Sequence, residues 1–228
     1  MTELWIACIA FVGTHFLLSH PLRAPLVGKM GEGLFLGLYS LVAFATLAWV
    51  AYAFYLAPKG AALWPGMADA HWIIATVLML IASILLVGSF TKNPAAPDPR
   101  GAHDLDRPAI GVFAITRHPM MWGFALWGIA HILVRPTPAN IVLCAAIIVL
   151  ALGGAYGQDR KKEKLFGEGW AGWEARTSYM PFANQLAGKA PWGAALPSLR
   201  VILVGIILWL LATLAHGSIG AGIWRWLL

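Results

Sequence analysis

Long apolar runs, sparse charge and a lopsided placement of basic residues predict an all-α polytopic membrane bundle of about six transmembrane helices. The chain has 228 residues, of which 60% are hydrophobic and 11% charged, and its mean hydropathy is +0.73. A helix needs about 20 apolar residues to cross a bilayer. It must also satisfy its own backbone there, because hydrocarbon offers no partners. Six runs meet this need, at roughly 3–21, 33–57, 70–91, 113–134, 138–158 and 198–216, followed by a short amphipathic tail to Leu228.

The first run lacks a basic leader and a small-residue cleavage site, so it reads as a helix rather than a signal peptide. The first, third and fifth connections hold 13 of the 16 basic residues. Positive residues stay cytoplasmic, which places both termini on the outer, periplasmic side of a bacterial inner membrane. Anionic headgroups account for the net charge of +6 without any nucleic acid. No linker divides the chain, so residues 1–228 form a single domain. The third connection, 91–115, carries Pro94, Pro97, Pro99 and Pro108 and reads as an ordered loop. The fifth, at about 159–197, is a cytoplasmic or interfacial segment. Its first part suits either a helix lying on the membrane or a solvated charged loop, with Trp170 and Trp173 as anchors in both cases.

Imidazoles within or at the lips of apolar runs are the first candidates for chemistry, because burying one in lipid is costly unless it is used. They are His15 in the first run, His71 opening the third and His131 near the end of the fourth. Neutral imidazole binds iron, copper and zinc well. His20, His103 and His216 read as boundary or surface residues. The fourth helix begins Thr116-Arg117-His118-Pro119, with proline in the first turn, where its missing N–H is harmless. Arg117 could clamp a carboxylate or phosphate. Trp127 and Gly128 lie one turn before His131 and could form a platform for a flat ring; small residues for close helix packing explain Gly123 and Gly128 equally well. Cys8 and Cys144 sit in different helices, and no disulfide is expected. HExxH, phosphate-loop and dinucleotide signatures are absent, and no nucleophile elbow is present.

Gly13-Thr14-His15 through Arg23, Gly31-Glu32-Gly33 through Tyr39, Thr116-Arg117-His118-Pro119 and Trp127-Gly128-Ile129-Ala130-His131 together resemble the NnrU family, which includes the 15-cis-zeta-carotene isomerases. The resemblance spans nearly the whole chain. It implies a membrane protein tied to denitrification or to redox-linked isomerisation of an isoprenoid-like lipid, with haem b as cofactor. The isomerase histidines fall on His15 and His131, with His71 and His118 as alternates chosen by depth. Arg117 and Arg23 are then candidate propionate partners. The isomerase cysteine falls on Gly128, so no thiolate is available there. From the helix boundaries, His15 and His131 differ in depth by roughly 16 Å.

A second, more distant resemblance runs from Arg117-His118-Pro119 and Gly123 to Lys164-Leu165-Phe166-Gly167, Trp170, Trp173 and Pro181. These positions are similar to the isoprenylcysteine and phospholipid methyltransferases, implying S-adenosylmethionine at the cytoplasmic helix ends. Asp159-Arg160 replaces that group's paired glutamates, and Met121 replaces its aromatic residue. A non-catalytic assembly factor for a partner reductase is the third reading.

Overall fold

The computed structural model describes residues 1–94, 104–216 and 221–227. Pro97, Pro99, Arg100 and His103 lie outside the described residues. Nine α-helices and no strand occur among the described residues. The six apolar helices are α1 (Thr2–Ser19), α2 (Arg23–Leu56), α3 (Asp69–Ser89), α5 (Pro119–Val134), α6 (Pro138–Phe166) and α9 (Leu199–Leu214). Four of them, α1, α2, α3 and α6, are long and apolar enough to cross a membrane, while α5 and α9 are shorter. The short helices α4 (Val112–Ile115), α7 (Glu168–Arg176) and α8 (Ala183–Leu186) gather at one end of this set. The tail forms a 3₁₀ turn, Gly222–Trp226.

Neighbouring helices pack as a row in the order α2, α1, α6, α5, α3, α9, with α2 also touching α6. Small residues set the close approaches. A Cβ on Gly128 would stand 2.8 Å from Ile148 Cγ1 and 3.2 Å from the Cys144 carbonyl, which fixes α5 against α6. A Cβ on Gly205 would stand 2.9 Å from Ile84 Cα, which does the same for α9 and α3. Apolar side chains fill one core at each end of the row. Leu4, Ala7, Cys8, Val50, Ala53, Ala139 and Val142 form the first. Leu85, α4, Trp170, Trp173 and Ala195 form the second.

Three boundaries depart from the sequence reading. The span read as 113–134 is interrupted, because Thr116, Arg117 and His118 are non-helical between α4 and α5. Pro119 disfavours helical backbone at His118, whose φ and ψ are −120° and 58°. Helix α2 starts at Arg23 rather than near residue 33 and breaks at Gly31, where φ is +81° and ψ is 162°. Only glycine adopts that backbone at little cost. Helix α6 runs on past the apolar stretch to Phe166 and ends at Gly167, φ +50°. Trp170 and Trp173 are fully buried against α4, so they are core residues of the polar end, not surface anchors.

Candidate functional site

Polar chemistry concentrates where α4, α5, α6 and α7 meet. The segment after α7 is tied across the α4–α5 joint by main-chain bonds. Arg117 N–H donates to the Ser178 carbonyl at 2.8 Å, and Phe182 N–H donates to the Ile115 carbonyl at 2.8 Å. Thr116 Oγ1 and Trp122 Nε1 both donate to the Tyr179 carbonyl, at 2.8 and 2.9 Å. Tyr179 OH donates to the Leu152 carbonyl on α6 at 2.6 Å. Tyr179 is thereby held with its ring edge-on to His118, centroids 5.8 Å apart.

The buried His118 donates from Nε2 to Asp159 Oδ1 at 2.7 Å. Arg117 donates from Nε to Asp159 Oδ2 at 2.8 Å, and its Nη2 lies 2.9 Å from Glu174 Oε1. Removing such charges from water is tolerable only because each is paired and hydrogen-bonded. Burial pushes the Glu174 carboxyl above its ordinary range; Arg117 opposes that shift, and Asp159 and Glu163 reinforce it. Burial also raises the Tyr179 phenol, with the Asp159 charge adding to the effect. A groove of about 430 Å³ opens beside this network, with Tyr156, Arg160 and Glu163 on its other walls.

The apolar-segment histidines lie elsewhere. His15 donates from Nδ1 to the Phe11 carbonyl at 2.7 Å and meets the Tyr39 ring edge-on at 5.6 Å. His131 donates from Nδ1 to the Trp127 carbonyl at 2.8 Å and stacks on that indole at 4.1 Å. A carbonyl can only accept, so Nδ1 carries the proton in both rings and a neutral ring keeps its lone pair on Nε2. Each ring, taken alone, has the anchored orientation of a metal-ligating imidazole.

The structure does not bring the two together. Asn140 Nδ2 donates to the His131 carbonyl at 2.9 Å. Phe16, next to His15, faces Gly153, where a Cβ would stand 2.8 Å from its ring. These contact points are thirteen residues apart on α6, about 20 Å along its axis. Two imidazoles on one metal need nitrogens within about 4 Å of each other, given metal–nitrogen bonds near 2 Å. Haem b shared between His15 and His131 does not fit this arrangement.

The alternates divide similarly. The Nε2 of His118 is occupied by Asp159. His71 donates from Nδ1 to the Pro65 carbonyl at 3.0 Å. Its turn packs through Gly66 on the Val134 carbonyl, so it shares an end of the row with His131. No group of three or more His, Cys, Asp or Glu side chains among the described residues is arranged to hold a metal. Gly128 is corrected from ring platform to packing residue, since Ile148 fills the space beside it. Arg117 is engaged by two carboxylates, and Arg23 by Glu32 with the Phe35 ring 5.5 Å away, so neither stands idle for a propionate. Cys8 and Cys144 are free and buried, as the sequence suggests. Tyr179 and Glu174 were not singled out in the sequence, and no local signal marks either one.

The family model described as NnrU protein matches residues 3–222. This chain belongs to the NnrU family. The NnrU chain is also 33% identical over 90 residues to a protein of Zea mays named 15-cis-zeta-carotene isomerase, chloroplastic, covering 37% of this chain and 25% of that protein. It is 29% identical over 140 residues to the protein of the same name from Arabidopsis thaliana, covering 57% of this chain and 35% of that one. The matches thus span about a quarter and a third of those relatives. No solved structure matches the chain.

Proposed function

We propose that this NnrU protein is a multi-pass inner-membrane protein that takes a hydrophobic, isoprenoid-like molecule from the bilayer and acts on it with haem b carried on one histidine. The observation that carries the reading is the family match across 3–222, joined to relatives whose name specifies a carotene isomerase. An apolar row of helices suits a substrate that never leaves the lipid. Helix α2 presents Leu34, Leu41, Phe44 and Tyr55 outward along its length. The excess of basic residues in the connections supports an orientation with the Arg117–Glu174 end cytoplasmic and both termini outside.

His131 or His15 would hold the iron from Nε2, with Trp127 or Tyr39 fixing the ring. Haem bound there would supply redox chemistry able to polarise a conjugated double bond. The apolar helices exclude water from such a substrate, and among the described residues both cysteines are buried packing groups, so no thiolate takes part. Proteoliposomes of the haem-supplemented protein, given a 15-cis polyene and analysed by chromatography, test the reading. Isomerisation dependent on haem supports it; an unchanged isomer ratio with haem bound and reduced would remove the isomerase reading.

A further inference from the structure

The groove beside Arg117 is used by nothing in that reading. It lies where α6 leaves its apolar stretch: Ala155 and Tyr156 give way to Gln158-Asp159-Arg160-Lys161-Lys162-Glu163. That change of composition is the boundary between hydrocarbon and headgroups. The walls carry three carboxylates, Asp159, Glu163 and Glu174, against two guanidiniums, Arg117 and Arg160.

Their engagement is unequal. Arg117 and Asp159 neutralise one another, with 13% and 5% of their side chains exposed. Glu174 has only Arg117 as its ion-pair partner among the described residues, and that same guanidinium also serves Asp159. Burial disfavours its charge, which a further cation in the groove would relieve. Arg160 is largely exposed and reaches Glu163 only at 3.5 Å, while two of its nitrogens donate to Tyr156 OH at 3.1 and 2.9 Å. Tyr156 and Tyr179 line the groove with Arg160 and Arg117 already over their rings, 5.3 and 5.8 Å from the centroids, so an added ammonium is left to the carboxylates. An exposed guanidinium at the rim suits a phosphate.

We infer that this groove is a binding site for a phosphate–ammonium zwitterion, the headgroup of a phosphatidylethanolamine-type lipid. The ammonium sits between Glu163 and Glu174, and the phosphate meets Arg160. The acyl chains continue along the apolar part of α6. A single-charge anionic lipid lacks the group that the surplus carboxylate selects.

Native mass spectrometry of the delipidated, detergent-purified full chain tests this. Dioleoyl phosphatidylethanolamine, dioleoyl phosphatidylglycerol, free phosphoethanolamine and S-adenosylmethionine are added separately at equal concentration. The exposed variants Glu163→Gln and Arg160→Gln, which leave the Arg117–Asp159–His118 network intact, are compared with wild type. The ethanolamine lipid should be retained over the glycerol lipid, and each variant should weaken it by roughly tenfold. Retention of phosphoethanolamine alone, with the same variant sensitivity, assigns the same chemistry to a soluble zwitterion. Equal retention of both lipids, insensitivity to both variants, or retention of S-adenosylmethionine alone overturns the proposal.

Discussion

Asp159 accepts from His118 on one oxygen and from Arg117 on the other, so its loss strands two polar groups together. Asparagine keeps the shape but loses the charge and turns an amide N–H₂ toward a donor. Asp159→Asn should therefore cost about 2–4 kcal/mol in thermal or denaturant unfolding in detergent, because a buried guanidinium and imidazole lose their shared partner. Glu163→Gln, at the exposed rim, should stay within about 0.5 kcal/mol. Arg117 and His118 were legible as a motif, adjacent and poised at a helix start. Their partner was not. Asp159 lies 41 positions beyond His118, and only the antiparallel packing of α5 on α6 brings it back. Tyr179 is recruited by main-chain bonds from the α4–α5 joint, which leave no pattern in the side chains.

Apolar run length specified the helices well, because a bilayer leaves a hydrophobic segment few alternatives. The six runs correspond to α1, α2, α3, α5, α6 and α9. Errors arose where tertiary bonds compete with helix continuation, at Thr116–His118, and where one glycine breaks a longer helix, at Gly31. Trp170 and Trp173 misled for a related reason: tryptophan suits both a membrane interface and a core, and only folding of the polar end decides between them. Glycines were equally ambiguous until their neighbours were visible. Gly128 is pressed on Ile148 and the Cys144 carbonyl, whereas Gly154, two turns away on the facing helix, meets nothing within 4 Å. Gly128→Leu should push α5 from α6 and lower stability by about 1–3 kcal/mol. Gly154→Ala should be neutral or stabilising by up to about 1 kcal/mol. Unfolding midpoints of the two variants, measured side by side, check this contrast.

Across the whole molecule, the row of helices separates two kinds of chemistry. The ion network and its groove occupy the end where α4 and α7 gather, while His131 and His71 share the opposite end. His15 stands on α1 near the level of Gly153, well along α6 from Asn140. The depth mismatch between His15 and His131 was already legible from helix boundaries, and the packing of α1 and α5 on α6 reproduces it. Sequence could not show that both rings are tethered through Nδ1 and that His118 is committed to Asp159. One histidine, rather than the pair, is proposed to carry the haem. Absorption and electron paramagnetic resonance spectra of haem-supplemented wild type, His15→Ala and His131→Ala test it most directly. A single haem-bearing histidine predicts a Soret band lost in one variant and retained in the other. A low-spin bis-histidine signal abolished equally by both substitutions would contradict it.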